Sequence, residues 1–427
     1  MHINELLTVV CEQGGSDLHL KVGNHPVARI KGKLTPLTQF KRLVQEDTIA
    51  MAFTILASDK QKQKFKEQLD IDIAYSVPSL GRFRCNIFNQ RGTVGLVLRV
   101  IPRKIYSIDD LMLPRVLYKI SEEQRGMVLV TGTTGSGKST TLAAMIDYIN
   151  ATRTEHILTI EDPIEYLHRD NRSILNQREV GADCMSFANA LRAALRQDPD
   201  VILVGEMRDL ETIETALHAA ETGHLVFSTL HTLDATETIN RVISVFPPHH
   251  QKQIRLQLAS VLKGVISQRL VPRADGQGRV PACEVMVATE TVRSCIEDKD
   301  KTKQLRDVIA QGTSQYGMQT FDQSLYFLLK QGLITEEEAL LRATNVGEFK
   351  LKLEGVMAAG DMSKVAMEKQ MNISQGAGRE AGGSLASSAA PVLPPPAPAM
   401  APPKPPAAPP PAQPQPFNPD VKITLAR

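Results

Sequence analysis

The stretch MVLVTGTTGSGKSTTLAA, residues 127–144, decides the fold of this chain. It begins with four apolar residues that predict a buried strand, and its centre has the spacing G-x-x-x-x-G-K-[ST]. A strand, a glycine-rich turn and a helix in this order predict a loop whose backbone N–H groups surround phosphates at a helix N-terminus. The candidate binding residues are Gly132, Thr133, Thr134, Gly135, Ser136, Gly137, Lys138, Ser139 and Thr140.

Two residues of this loop have specific expected partners in a bound Mg²⁺–ATP. Lys138 is expected to reach the β- and γ-phosphates, and the Ser139 hydroxyl is expected to bind Mg²⁺. A second metal-directed group is the carboxylate of Glu206, which ends the strand-like stretch DVILVGE, residues 200–206. Glu206 stands where Asp is more usual, which favours a water-mediated contact with Mg²⁺ over direct coordination.

Four short apolar runs predict buried parallel strands: Met127–Val130, His156–Ile160, Val201–Val204 and Leu225–Ser228. Helical patterns lie between them, so residues 115–270 are predicted to form a doubly wound α/β domain. Open sheets of this kind bind ligands at the carboxyl ends of their strands. The residues that follow each run are therefore candidates for the site.

Acids and histidines stand near these strand ends. Glu161 and Glu165 follow the second run, and either carboxylate could orient or deprotonate an attacking water. His224 precedes the fourth run and His231 follows it, where a histidine could sense the γ-phosphate. A surface ion pair for either acid, and a structural role for either histidine, are the alternatives that the pattern leaves open.

The rest of the chain divides by composition. At 427 residues the chain is too long for one hydrophobic core. Fifteen of the 26 prolines lie between Pro391 and Pro419, which predicts a disordered Pro/Ala-rich tail. Composition alone does not identify a partner for this tail. The helix Ile3–Glu12, a helical stretch Glu46–Leu69 and short strands predict a mixed α+β first unit. The predicted segments are 1–101 (α+β domain), 102–114 (linker), 115–270 (α/β domain), 271–354 (mainly helical) and 355–427 (tail).

Composition excludes several classes of function. Lys+Arg 49 against Asp+Glu 47 leaves a net charge of +2, so no global basic field indicates nucleic-acid binding. The five cysteines include no C-x-x-C pair, which argues against a disulfide framework or a zinc site. No apolar run approaches the ~20 residues that span a bilayer. These observations predict a cytoplasmic protein that meets a membrane only through a partner.

Several motifs together resemble the secretion ATPase superfamily, and within it the PilT-type twitching-motility ATPases of type IV pili. They are GTTGSGKST (132–140), TIEDPIEYLH (159–168), LRQDPDVILVGEMRD (195–209), GHLVFSTLHTLDA (223–235), QREVGAD (177–183), GGSDLHL (14–20) and GMQTFDQSL (317–325). The resemblance implies a PAS-like N-terminal domain, a RecA-like P-loop ATPase domain and a homo-hexameric ring. It further implies that the ring disassembles the pilus through an inner-membrane platform protein and is peripherally associated with the inner membrane. A paralogous pilus ATPase is a possible further partner.

The resemblance also implies roles for residues of this chain. The family's catalytic glutamate falls in the acidic stretch TIEDPIEYLH, residues 159–168. We assign it to Glu165, with Glu161 as the alternative. Two arginines fifteen residues apart act on nucleotide in the family, and Arg84 and Arg99 have that spacing. In a head-to-tail ring they could reach a neighbour's nucleotide; the alternative is that both only brace their own sheet.

One stretch departs from the family. The AIRNLIRE motif that PilT-type motors need for retraction aligns with TVRSCIED, residues 291–298, in which Arg293 and Ile296 keep the residues of the motif. Hydrolysis should survive this difference, whereas its coupling to retraction is in question. The rival hypotheses are an accessory or assembly motor of a pilus or type II secretion system, a RecA-like nucleic-acid translocase, and a nucleotide switch with negligible turnover.

Overall fold

The computed structural model describes residues 1–78, 80–102 and 104–354 of the chain. These residues form two β-sheets with associated helices, an α/β fold. The predicted tail, 355–427, lies outside the described residues. Within the described part, no helix is long and apolar enough to cross a membrane.

The first sheet is antiparallel, has six strands and has the order β3-β2-β1-β6-β5-β4. Its strands are β1 (Gly15–Leu20), β2 (Val27–Ile30), β3 (Lys33–Pro36), β4 (Asp70–Val77), β5 (Gly81–Gln90) and β6 (Thr93–Val100), and its helices are α1 (Ile3–Glu12), α2 (Gln45–Ile55) and α3 (Asp59–Gln68). One face of the sheet packs in an apolar core that includes Leu6, Leu18 and Phe83, all less than 1% exposed. The sheet therefore buries one face under its own helices.

Two features of this part differ from the sequence prediction. The single helical stretch Glu46–Leu69 is two helices, because Ser58 begins α3 by accepting a hydrogen bond from the Gln61 backbone N–H. Strand β3 was not predicted, because all four of its residues are exposed and show no apolar alternation. It pairs with β2 through a two-residue turn, Lys31-Gly32, in which both φ angles are positive.

The second sheet has seven strands in the order β13-β12-β7-β11-β10-β8-β9. Its strands are β7 (Gly126–Thr131), β8 (His156–Glu161), β9 (Ile174–Glu179), β10 (Val201–Val204), β11 (Leu225–Leu230), β12 (Leu262–Pro272) and β13 (Arg279–Val287). The helices that follow α3 are α4 (Val116–Ser121), α5 (Lys138–Thr152), α6 (Phe187–Ala194), α7 (Leu210–Glu221), α8 (Ala235–Ser244), α9 (Gln251–Val261), α10 (Glu290–Glu297), α11 (Leu305–Gln311), α12 (Thr313–Tyr316), α13 (Phe321–Lys330), α14 (Glu336–Arg342) and α15 (Val346–Leu353). All neighbouring strands are parallel except β12 and β13.

The four predicted parallel strands are confirmed as β7, β8, β10 and β11. All six residues of β7 are buried, and alternate residues enter different cores: Met127 and Leu129 pack on one face, and Val128 and Val130 on the other. Burial on both faces explains why these strands appear in the sequence as continuous apolar runs.

Strands β9, β12 and β13 were not predicted, and β13 lies in the segment expected to be mainly helical. Polar residues interrupt their patterns: β12 contains Ser267 and Gln268, both buried, and β13 contains Glu284. These side chains are buried because they bond to other parts of the fold, such as Ser267 to the Thr131 hydroxyl at 2.9 Å. An apolar-run criterion cannot find strands of this kind.

Replacing Phe227 tests the core beneath the site. Phe227 on β11 is fully buried, so Phe227→Ala should lower the free energy of unfolding by about 3–5 kcal/mol through lost burial and a cavity. Chemical denaturation measures the change. The matched control is Phe53→Ala on α2, where Phe53 is 44% exposed and the change should stay within about 0.5 kcal/mol. Equal losses in both variants would contradict the assigned packing.

Candidate nucleotide-binding site

The loop after β7 has the geometry of a phosphate-binding loop. Gly137 has a φ of 95° and stands immediately before α5, so the loop ends at a helix N-terminus. The Lys138 side chain turns back over the loop, where its Nζ donates to the carbonyl oxygens of Gly132 at 2.9 Å and Thr133 at 3.0 Å. The Lys138 ammonium is therefore held over the loop, where the oxygens of a bound anion could accept its hydrogen bonds in place of these two carbonyl oxygens.

Strand β12 supports this loop from the side. Gln268 accepts a hydrogen bond from the Thr141 hydroxyl at 2.8 Å through its side chain. Its backbone oxygen lies so near Gly132 that a Cβ there would be 2.4 Å away, and Gly132 has a φ of 141°. Gly132 is thus required both by conformation and by space. This support was missed because Gln268 belongs to a strand that the sequence did not predict.

One polar atom of the loop is unpartnered. The hydroxyl of Ser136 is buried and has no hydrogen-bond partner in the described part of the chain. A buried hydroxyl without a partner is costly, and this one lies beside Gly132, where an added Cβ would be 2.6 Å from it. Ser136 is outside the cleft lining, so the fit to a phosphate group rests on the backbone before the N-terminus of α5 and on the Lys138 ammonium.

The loop opens into a cleft of about 480 Å³. The cleft lies at the carboxyl ends of β7, β8, β10 and β11, where open parallel sheets bind ligands. Of the residues predicted from sequence, its lining includes Thr134, Gly135, Gly137, Lys138, Ser139, Thr140, Glu161, Glu165, Glu206, His231 and Arg99. The structure therefore brings acids from two separate stretches of chain to one loop.

Glu206 and His231 approach Lys138 from the neighbouring strands. Glu206 forms an ion pair with Arg208 at 2.8 Å and lies 3.8 Å from the Nε2 of His231. Burial, and after it the charge of Lys138, lowers the pKa of His231, so its ring is mainly neutral at pH 7. Burial also lowers the pKa of Lys138, although Glu165 and Glu206 oppose this shift.

The two candidate bases differ in what their carboxylates already bind. Glu161 accepts from the Thr159 hydroxyl at 2.7 Å, the Gln177 amide at 3.2 Å and the Glu165 backbone N–H at 3.4 Å. Burial raises the pKa of Glu161, and the bonds from Thr159 and Gln177 oppose that rise. The Glu165 side chain is exposed to the cleft and has no hydrogen-bond or ion-pair partner among the described residues. Glu165 is therefore the carboxylate with free acceptor capacity.

The two arginines are direct cross-strand neighbours on β5 and β6, but only one lines the cleft. Arg99 lies in the cleft wall of its own chain and donates from Nε to Asp17 at 3.0 Å. Arg84 is outside the lining and lies 3.8 Å from the carboxylate of Asp72. Arg99 therefore lies in the same cleft as the phosphate loop of its own chain.

The structure does not bring His224 to the cleft. His224 precedes β11 at its amino end, and its carbonyl accepts from the Gly126 N–H at the start of β7. Its Nδ1 lies 2.9 Å from the carbonyl oxygen of Ala219, a contact that holds the end of α7. The phosphate loop leaves the opposite end of the sheet, so His224 has the structural position that the pattern left open.

The structure adds residues at and behind the cleft that were not among the candidates from the sequence. Arg279 begins β13 and adds a cation to the lining. The hydroxyl of Tyr166 is 2.8 Å from that of Thr140 in the loop, and Gln177 donates to both Glu161 and the Tyr166 carbonyl. These contacts join α5 to the acidic stretch. Each depends on pairs far apart in the chain, which a local pattern does not show.

An ion pair connects the first sheet to β9 and, through β9, to the acidic stretch 159–168. Arg82 on β5 donates to the Glu179 carboxylate at 2.8 Å, and the same carboxylate oxygen accepts from the Ile164 backbone N–H at 3.1 Å. Both side chains are largely buried, at 19% and 7% exposure. The backbone next to Glu165 is therefore fixed by a residue of the other sheet.

Comparisons with known proteins agree with this geometry. The family described as "Type II/IV secretion system protein" matches residues 2–340. The chain is 48% identical over 343 residues to the "Type IV pilus retractation ATPase PilT" of Pseudomonas aeruginosa, covering 80% of this chain and 98% of that protein. It is 48% identical over 320 residues to a "Twitching motility protein" of Neisseria gonorrhoeae, covering 75% and 84%.

A solved structure is also similar to this chain. It is described as "Crystal Structure of the Pilus Retraction Motor PilT and Bound ADP", and the likeness has a TM-score of 0.76 at 48% identity. It covers 82% of this chain and 98% of the other.

Removing Arg82 tests the connection between the two sheets. Arg82→Ala leaves the Glu179 carboxylate buried without its cation, so the free energy of unfolding should fall by about 3 kcal/mol, the lower end for a broken buried pair. The control is Arg115→Ala, because Arg115 pairs with Asp109 at the surface, 67% and 56% exposed, and should cost under about 1 kcal/mol. Indistinguishable losses in denaturation would refute a buried connection.

Proposed function

The chain belongs to the type II/IV secretion system protein family, and on that premise we propose that it is an ATP-hydrolysing motor that powers retraction of type IV pili. The observation that carries the proposal is the cleft in which one phosphate loop meets the acids of β8 and β10. Its nearly full-length similarity to PilT supports the same activity.

The phosphates of ATP would be held by the backbone of residues 132–140 and by Lys138. Its Nζ would exchange two carbonyl contacts for phosphate oxygens, a stronger, charge-assisted interaction. The Ser139 hydroxyl, at the first turn of α5 and in the lining, is placed to hold Mg²⁺, with Glu206 acting through water. Mg²⁺ would supply neutralisation of charge on the phosphate oxygens.

Hydrolysis needs a group that takes a proton from the attacking water. Glu165 suits this role because its carboxylate is free and faces the cleft, whereas the carboxylate of Glu161 already accepts three hydrogen bonds. Glu161 would then hold the Glu165 backbone in place. His231, neutral beside Lys138, is placed to hydrogen-bond near the terminal phosphate without adding charge.

Arg99 would stabilise the charge that develops on the transferred phosphoryl group. It is an exposed guanidinium in the wall of the cleft, and such arginines are worth about 10³–10⁵ in rate where they contact the phosphoryl group. Arg84, beside Arg99 but outside the cleft of its own chain, would act on the nucleotide of a neighbouring subunit in a head-to-tail ring.

The finer architecture and the partners belong to the same proposal. We assign residues 1–101 to a PAS-like domain, with 102–114 as a linker, and residues 115–354 to a RecA-like ATPase domain, supported by the antiparallel first sheet and the parallel second sheet. The motor would be a homo-hexamer in the cytoplasm that meets the inner membrane through the platform protein of the pilus, with a paralogous ATPase as a further partner. Nucleic acid is not an expected ligand.

An accessory motor is the second candidate, and one observation favours it. The departing stretch 291–298 forms α10, in which Val292, Cys295 and Ile296 are buried. The buried positions of α10 are apolar here as in the AIRNLIRE motif, so the helix can still pack in the same way. The differences in chemical character fall on its exposed residues. A motor that hydrolyses ATP but relies on a partner for coupling would have this pattern.

Paired substitutions separate the two acids. Glu165→Gln keeps size and hydrogen bonding but cannot take a proton, so turnover should fall by about 10²-fold or more while ATP binding persists. The measurements are steady-state ATPase activity and ATP affinity. Glu161→Gln is the matched control and should lose less activity, because its amide can keep part of the hydrogen-bond network. If Glu161→Gln is dead and Glu165→Gln active, the base is Glu161.

The cellular role is tested by deletion of the gene. A retraction motor removes pilin from the fibre, so its loss should leave abundant surface pili and abolish twitching. Complementation with the unaltered gene should restore twitching, and Lys138→Ala, folded but without its phosphate contact, should not. Cells without pili would contradict retraction and favour an assembly motor, and normal twitching would contradict both.

A further inference from the structure

A row of charged residues crosses the first sheet, and one of its inner members, Arg99, lines the cleft. Arg29, Asp17, Arg99 and Arg84 are successive cross-strand partners on β2, β1, β6 and β5. Directly paired residues share a face, and Arg82, two residues before Arg84, shares it too. Since Arg82 reaches Glu179, this is the face turned towards the ATPase sheet. Asp17 is the single acid of the row.

Asp17 is buried and fully engaged, unlike its neighbours. It is 6% exposed and accepts from the Ser16 hydroxyl at 2.8 Å and the Arg99 Nε at 3.0 Å, while Arg29 Nε lies 3.5 Å away. Burial opposes ionisation, but the bonds from Ser16 and Arg99 outweigh it and lower the pKa of Asp17. Asp17 therefore remains a carboxylate at neutral pH, fixed against Arg99.

The contact engages only one corner of the Arg99 guanidinium. Nε binds Asp17, and neither Nη group has a partner within residues 1–78, 80–102 and 104–354. A guanidinium carries its donors in a rigid plane, so fixing Nε restricts where the Nη groups can point. Arg99 lines the cleft, so its four remaining N–H donors are available there for phosphate oxygens.

We propose that Asp17 is a positioning residue for ATP hydrolysis, which orients Arg99 through Nε so that the Nη groups can receive the transferred phosphoryl group. This inference rests on the proposed ATPase function and adds to it a residue that does not touch nucleotide. Preorganised donors stabilise developing charge because they need no reorganisation during the reaction. An unoriented Arg99 would lose this advantage while the phosphate loop still bound ATP.

The ion pair between Asp17 and Arg99 could also hinder catalysis instead of assisting it. If Asp17 instead held Arg99 away from nucleotide, the ion pair would compete with catalysis and its removal would raise turnover. The sign of the effect on kcat therefore separates orientation from competition.

The test is kinetic and uses the full chain. Asp17→Asn replaces the charge-assisted hydrogen bond to Arg99 Nε by a neutral one about half as strong, so kcat should fall about 10-fold, with little change in KM because residues 132–140 carry the binding. In an Arg99→Ala background, Asp17→Asn should have no further effect on kcat, since Asp17 acts only through Arg99. The matched control is Asp72→Asn, which removes the acid beside Arg84 and should leave kcat within about 2-fold.

The outcomes are distinguishable from failure of the function itself. Absence of ATP hydrolysis in the unaltered protein would contradict the proposed function, and a normal kcat in Arg99→Ala would contradict the role of Arg99 and with it this inference. If kcat is low in Arg99→Ala but normal or raised in Asp17→Asn, the positioning role of Asp17 is wrong while the role of Arg99 stands. Additive losses of kcat in the double variant would also contradict the positioning role. If Asp17→Asn does not fold, Arg99→Lys is the variant to measure. The lysine ammonium lacks the planar set of Nε and Nη donors that Asp17 would orient, so kcat should fall nearly as far as in Arg99→Ala. Full activity of Arg99→Lys would overturn the proposal.

Discussion

The parallel register of β7, β11, β10 and β8 is the constraint on which the site depends. Val204 on β10 is paired with Ser228 on β11 and Ile160 on β8, so these strands end at one edge. Because each strand continues into a loop at that edge, residues 132–140, Glu161, Glu206 and His231 meet although up to about a hundred residues separate them. The apolar runs that fix the register are therefore as necessary to the chemistry as the polar residues themselves.

The strands with this role were predictable from the sequence because they are buried on both faces and so appear as unbroken apolar runs. The phosphate loop was predictable because glycine and lysine at fixed spacing have few other uses. Strand β12 was not predictable, because Ser267 and Gln268 are buried only in the presence of Thr131 and Thr141, more than a hundred residues earlier. Patterns within one segment cannot show a polar residue whose partner lies in another.

The sequence also could not rank residues of the same chemical type. Glu161 and Glu165 are both acids after one strand, and only the hydrogen bonds from Thr159 and Gln177 distinguish an occupied carboxylate from a free one. His224 and His231 flank one strand, yet they lie at opposite ends of it, since a strand of six residues separates its ends by about 20 Å. Position along the strand, rather than residue type, decides which group can reach a ligand.

Through its charged face, the first sheet would have a chemical role in the proposed motor. Arg82 fixes the backbone at Ile164 through Glu179, next to the free carboxylate of Glu165, while Arg99 enters the same cleft from β6. Arg82 and Arg99 lie on neighbouring strands of one sheet, so a displacement of that sheet would change the positions of the proposed base and of the proposed stabilising cation together. A motor needs such a link, because force on one domain must alter the rate of hydrolysis in the other. In the proposed motor, Arg82 and Arg99 would form this link, and their places are set by strand register and therefore by the apolar residues of the opposite face.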